Sequence, residues 1–278
     1  MSYDMIQVAP VAGAIGAEIS GVDLSGAVSD AAVREIRAAW LEYVVVFFRD
    51  QPVSLDAFLA FARMLGEPIE YPFVKGLDGY PQIIAVSKLP TETVNFGGIW
   101  HSDTVYLDRP PSGTMLVARQ IPPVGGDTMF ANMYAAYDAL SPALQDLLAP
   151  LRGVNSSAMA DVSKTREDRI RESGEVAPKV FESEHPVVRT HPETGRKALY
   201  VNVAHTARFA GMTEDESRPL LQFLFAHCVR PEFTCRFRWE IGSIALWDNR
   251  CAMHNPINDY DGHTRTMHRI TLAGDTPR

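Results

Sequence analysis

The spacing of hydrophobic positions changes several times along the chain, and each change marks an element. Ala32, Ile36 and Trp40 recur at helical spacing behind Ser29, a favourable N-cap, which predicts a helix from Asp30 to about Glu42. Val44 to Phe48 is β-branched and aromatic without a polar break, the pattern of a buried strand. Ser54 caps a second helix that Gly66 ends. Ser141-Pro142 places proline at the first helical position after an N-cap, and Thr213 with Glu216 forms a capping box for a helix to about Cys228.

The other patterned stretches are short and strand-like. Ile15 to Gly21 is a strand running into a turn. Val187 to Thr190 and Ala198 to Val201 flank the turn-rich His191-Pro192-Glu193-Thr194-Gly195. Phe233 to Trp239 and Ser243 to Trp247 are expected to pair as a hairpin about Gly242, and Arg265 to Leu272 is a last strand. Short strands with a few helices predict a mainly β fold with flanking helices, a sandwich or jelly roll. No repeat or linker divides the sequence, so one domain is expected over residues 1–278. The stretch 154–179 is polar and weakly patterned, and is expected to be a long excursion that acts as a lid.

Composition narrows the function classes. The net charge is −8, from 34 acidic and 26 basic residues, without basic runs. That argues against a nucleic-acid partner, because phosphate contacts need clustered Lys and Arg. No apolar stretch approaches the roughly 20 residues of a membrane span, so no membrane partner is expected. The N-terminus lacks a signal-peptide pattern. Cys228, Cys235 and Cys251 are odd in number and lack CxxC spacing, which disfavours a disulfide framework or a thiolate zinc knot. The expected location is the cytoplasm.

Four clusters carry chemistry. In Trp100-His101-Ser102-Asp103, an extended backbone would turn His101 and Asp103 the same way, toward one metal ion. Taken alone, the pair also fits a plain surface loop. Trp247-Asp248-Asn249-Arg250-Cys251-Ala252-Met253-His254 ends a strand and supplies another histidine. In Arg265-Thr266-Met267-His268-Arg269, two arginines share one strand face. If that face is interior they need anionic partners, since an unpaired buried charge is very costly. Gly125-Gly126-Asp127-Thr128 is a turn into a strand, whose Thr128 hydroxyl can meet a carboxylate. Together, HxD, a distal His and an Arg eleven residues later have the layout of a 2-His-1-carboxylate facial triad, which leaves iron positions open.

With these motifs in order, the chain resembles the taurine / 2,4-dichlorophenoxyacetate dioxygenase family of iron(II)- and 2-oxoglutarate-dependent oxygenases. The similarity also runs through Ile15 to Leu24, Val45 to Gln51 and His185 to Pro192. It implies a double-stranded β-helix (jelly roll) and an enzyme that hydroxylates a C–H bond of a small organic anion, releasing succinate and CO2. The anion would be a sulfonate, a sulfate ester, or an aryloxy or other carboxylic acid. By the resemblance His101, Asp103 and His254 hold Fe(II), Arg265 and Thr128 hold the far carboxylate of 2-oxoglutarate, and O2 is the second co-substrate. Arg269, Tyr71 and His205 fall at substrate-binding positions, and Gly97 stands where the taurine enzyme has asparagine. An intact carboxylate at Asp103 implies hydroxylation; related halogenases have a small residue there. A homodimer or homotetramer is implied as well.

Two other classes compete. A zinc-dependent hydrolase on a jelly-roll scaffold would use two His and one Asp with an open water site, but it gives no reason for Arg265 and Thr128. A non-catalytic jelly-roll binding protein needs no ligand set at all.

Overall fold

The computed structural model describes residues 3–159 and 180–278. Most of the predicted lid lies outside them. Its first residues do not leave the fold, because Arg152–Ser156 forms a strand paired on both sides.

Sixteen strands and five α-helices are described, in the order β1 (Gln7–Pro10), β2 (Ala17–Ser20), α1 (Asp30–Tyr43), β3 (Val45–Phe48), α2 (Leu55–Leu65), β4 (Pro68–Ile69), β5 (Ile83–Lys88), β6 (Gly113–Gln120), β7 (Thr128–Asn132), α3 (Met133–Asp138), α4 (Pro142–Leu148), β8 (Arg152–Ser156), β9 (Glu182–Pro186), β10 (Val188–Thr190), β11 (Lys197–Leu199), β12 (Thr206–Phe209), α5 (Glu214–Cys228), β13 (Thr234–Phe237), β14 (Ile244–Asp248), β15 (Ala252–Pro256) and β16 (Arg265–Leu272). The caps read from sequence are present. Ser29, Ser54 and Ser141 accept backbone N–H bonds at the starts of α1, α2 and α4, and Thr213 and Glu216 close a capping box on α5. The strand predicted from Val44 starts one residue later, because Val44 ends α1 with φ +70°.

The large sheet runs β1-β2-β3-β14-β6-β16-β4, with β5 also on β16. Both of its faces are covered, and the two-residue period of its strands divides them. Val46, Phe48, Met115, Val117, Ile244, Leu246, Ile270 and Leu272 point outward under α1 and α2, where Ile36, Trp40, Phe58 and Phe61 complete a core. Val45, Phe47, Leu116, Ala118, Ala245, Trp247 and Met267 point inward toward the small sheet β13-β7-β15. Phe47 stacks on Phe237 of that sheet at 4.0 Å, and Phe130 meets Trp247 at 5.7 Å. This mainly β double layer with outer helices is the jelly roll expected. Arg265 and Arg269 share the inner face with Met267, so the interior placement of the two guanidiniums holds.

The expected hairpin about Gly242 does not form. β13 pairs with β7 in the small sheet, whereas β14 pairs with β3 and β6 in the large one. The two strands lie in facing layers because Phe237 is used for packing on Phe47 rather than for pairing beside β14. The pairing of β10 with β11 around the His191–Gly195 turn is as expected. Cys228, Cys235 and Cys251 are buried and free, as small hydrophobes.

An ionic chain, buried at its Asp248 end and reaching the surface at Arg37, anchors the turn after β14. Asp248 accepts from Arg250 through both oxygens (2.8 and 2.6 Å) and meets His191 at 3.0 Å. Arg250 continues to Glu193, and Glu193 to Arg37. His191 is therefore buried and structural. Burial alone would raise the Asp248 carboxyl, but Arg250 and His191 hold it well below the usual carboxylate range. Its folded pKa lies below its unfolded value of about 4, so its contribution is present above that pH and is lost as acid titrates the folded carboxylate. Asp248→Asn is expected to cost about 3 kcal/mol at pH 7 in urea unfolding. The gap from the parent should narrow as the pH falls below 4; a constant gap would contradict the assignment.

Candidate metal centre and its flanking cavities

Two segments far apart in sequence meet as a reciprocal backbone pair. His101 N donates to His254 O at 3.0 Å, and His254 N donates to His101 O at 2.8 Å. His254 lies on β15, and His101 is the isolated bridge that extends that sheet by one residue. The pairing sets the two imidazoles side by side, with ring centroids 4.1 Å apart. Asp103 follows in a turn, with Thr104 at φ +43°, rather than in the extended segment expected. The outcome is nonetheless convergence. Asp103 Oδ1 lies 3.8 Å from His101 Nε2 and 4.0 Å from His254 Nε2, and the three ligand atoms fall within 4.8 Å of one another.

The groups are in the states a metal ion needs. His101 Nδ1–H donates to Ile99 O at 2.6 Å, which leaves the Nε2 lone pair facing inward. Burial lowers the pKa of His101, and burial with the neighbouring His101 lowers that of His254 well below the ordinary value, so both rings are neutral at pH 7. Burial would raise the Asp103 carboxyl, but the Arg269 guanidinium and the Thr114 hydroxyl hold it well below the usual range. His254 Nδ1 has no hydrogen-bond partner among the described residues; its ring is held by Trp247 at 4.6 Å and by His101.

His191, Asp248 and Cys251 form a second group of close donor atoms. It does not suit a metal ion. Both Asp248 oxygens are already engaged, and burial keeps the Cys251 thiol protonated.

Two cavities open from the triad. One is lined by Thr128, Trp247, Leu116 and Arg265. Arg265 is buried; its Nε donates to Gly126 O at 3.0 Å, and its Nη2 lies 3.5 Å from Thr128 Oγ1. No carboxylate of the described residues lies within 4 Å of it, because Asp127 is paired instead with Arg236 at 2.7 Å. Burial accordingly lowers its pKa. Gly126 is required here: its φ is +74°, and a Cβ would stand 3.1 Å from Arg265 Cδ. A buried guanidinium with a hydroxyl beside it and no carboxylate partner suits a ligand carboxylate.

The other cavity is lined by Tyr71, Phe96, Gly97, Ile99, Tyr106, His205 and Arg269. The predicted substrate-side residues Tyr71, His205 and Arg269 are thus brought together. The Arg269 guanidinium lies 4.9 Å from the Tyr71 ring and forms an ion pair with Asp103 at 2.8 Å. Its Nε is buried without a hydrogen-bond partner among the described residues. Tyr106 packs on His205 at 5.0 Å.

Sequence reasoning missed Thr114 and Phe96, which no motif marks, and gave Asn249 no role. Trp247, buried on the inner sheet face, also touches His254 and lines a cavity. Three further histidines are structural: His185 Nε2 meets Leu107 O, His227 Nε2 meets Ala136 O, and His268 accepts from Arg119.

Residues 7–271 match the family model described as the taurine catabolism dioxygenase TauD, TfdA family. The chain is 37% identical to an alpha-ketoglutarate-dependent sulfate ester dioxygenase of Pseudomonas putida, over 98% of this chain and 91% of that protein. It is 33% identical to an alpha-ketoglutarate-dependent 2,4-dichlorophenoxyacetate dioxygenase of Cupriavidus pinatubonensis, over 93% and 94%. A crystal structure of a taurine dioxygenase from Burkholderia xenovorans superposes with a TM-score of 0.84 at 38% identity, over 99% of this chain and 93% of that one.

Gly97 supplies a test of the site. Its φ is +68°, and a Cβ there would lie 2.9 Å from His101 Cε1. Gly97→Ala is expected to tilt the imidazole and weaken divalent-ion binding about tenfold or more, measured by cobalt(II) titration. Unaltered affinity would show that the ring does not depend on this glycine.

Proposed function

The chain belongs to the taurine catabolism dioxygenase TauD, TfdA family, and we propose that the centre at His101, Asp103 and His254 is where it carries out that family's chemistry on a small organic anion. It is an Fe(II)- and 2-oxoglutarate-dependent dioxygenase, 2-oxoglutarate being alpha-ketoglutarate. The observation that carries the site reading is the juxtaposition of two neutral imidazoles and one carboxylate, within 4.8 Å, beside a buried guanidinium that lacks a carboxylate partner among the described residues. A zinc hydrolase would account for the first half of that arrangement and leave Arg265 unexplained.

The residues fit the group. His101, Asp103 and His254 would hold iron(II), a 2-His-1-carboxylate set that suits it and leaves open positions. With 2-oxoglutarate and O2, the bound ion supplies oxidative decarboxylation to succinate and CO2, coupled to hydroxylation of a substrate C–H bond. Arg265 and Thr128 receive the far carboxylate of 2-oxoglutarate, and the guanidinium fork fixes its direction as well as its energy. Leu116 and Trp247 line the same cavity and exclude water beside it. On the opposite side Arg269 receives the anionic group of the substrate. Tyr71 and His205, with Phe96 and Tyr106, enclose the remainder in a largely aromatic wall that suits an apolar alkyl or aryl part. The relatives' sulfate esters and aryloxy acids share that plan of one anionic end and one apolar end.

A cytoplasmic homodimer or homotetramer belongs to the same reading. Three free, buried cysteines support a reducing compartment, and among the described residues no helix is long and apolar enough to cross a membrane.

The test is anaerobic loading with iron(II), then a screen of sulfonates, sulfate esters and aryloxy acids for substrate-dependent succinate in air. Asp103→Ala should abolish succinate formation; full activity in that variant sinks the assignment. Arg265→Gln should raise the KM for 2-oxoglutarate on the order of 100-fold by removing a buried charge partner, with smaller effects at saturation. An unchanged KM would place the co-substrate elsewhere.

A further inference from the structure

Behind Asp103 lies a one-way chain of hydrogen bonds. Trp247 Nε1–H, which can only donate, donates to Asn249 Oδ1 at 2.9 Å. That bond fixes the amide, so Asn249 Nδ2 donates to Thr114 Oγ1, also at 2.9 Å. The one hydroxyl proton of Thr114 then goes to Asp103 Oδ2 at 2.7 Å. Every direction follows from the indole, and no member is more than 3% exposed. The carboxylate is consequently divided: Oδ2 is bound from behind by Thr114, while Oδ1 faces the Nε2 atoms of His101 and His254 at 3.8 and 4.0 Å and also meets Arg269 Nη2 at 2.8 Å.

We propose that Trp247, Asn249 and Thr114 are positioning residues that restrict Asp103 to binding the metal ion through Oδ1 alone. A carboxylate without this restraint can swing to offer both oxygens, and the second would take a position that the co-substrates need. Thr114 and Asn249 come from β6 and from the turn after β14, neighbouring strands of the large sheet, so the restraint is built into sheet pairing rather than a loop. The inference rests on the proposed metal reading of His101, Asp103 and His254.

The test uses the full chain and cobalt(II), and reads affinity and the visible ligand-field spectrum rather than turnover. The parent should bind one equivalent. Thr114→Val, of nearly the same shape but lacking the hydroxyl, should bind roughly 10–100-fold more weakly, the usual effect of losing an outer partner of a metal ligand, with an altered spectrum. Thr114→Ser should restore both properties. Asn249→Ala should weaken binding in the same direction, and it carries the test with Thr114→Ser if Thr114→Val does not fold. Parent-like affinity and spectrum in Thr114→Val or Asn249→Ala overturn the inference. So does a lowered metal-free unfolding midpoint with an unchanged spectrum, which marks a purely structural role. A parent that binds no cobalt overturns the metal reading itself, a separable failure.

Discussion

Two backbone hydrogen bonds, exchanged between His101 and His254, hold the site together. They join residues 153 positions apart in sequence (254 − 101) into one rung of a sheet, and a rung fixes side-chain direction as well as proximity. Asp103 is then set by the turn that follows and by Thr114 behind it. No loop has to close to bring the three ligand atoms together. The fold therefore contributes preorganisation, with the backbone ordering already accounted for in forming the sheet.

The large sheet makes this possible by being covered on both faces. Its outer face is sealed by α1 and α2, so the inner face is free to carry function and still belongs to a stable layer. The alternation on β16 places Arg265 and Arg269 inward on either side of Met267; Arg265 lines the cavity with Thr128, and Arg269 lines both cavities. Buried guanidiniums are tolerated in a core only when something answers their charge. Arg269 is answered by an ion pair with Asp103; Arg265 has no carboxylate within 4 Å among the described residues. The two arginines thus differ in what the folded protein leaves open, although the sequence presents them identically.

Much of this was legible in the sequence because the signals are local. Capping serines, the capping box and the β-branched run at Val45–Phe48 act within a few residues, and all of them formed. The convergence of His101, Asp103 and His254, with Arg265 beside them, was legible as a spaced motif. Two kinds of feature were not. Strand partnership depends on which layer a strand joins, so β13 and β14 look like a hairpin and yet face each other across the core. Residues that act through another residue carry no signature of their own. Thr114 lies within a buried strand, and nothing in its neighbours indicates that it will meet Asp103.

Charge bookkeeping ties the site to its ligands. With both imidazoles neutral, Asp103 contributes one negative charge and Arg265 and Arg269 two positive ones, leaving one net positive charge in a buried space. A divalent ion raises that to three. In a low-dielectric interior such an excess is costly, and it draws anions into the cavities. On the proposed reading, 2-oxoglutarate supplies two negative charges at Arg265 and the metal, and a monoanionic substrate at Arg269 supplies the third. The assembled site is then neutral. On that reading a neutral substrate would leave Arg269 and the ion underbalanced and a dianion would overshoot, so the charges of the described site residues favour a single anionic group on the molecule to be oxidised.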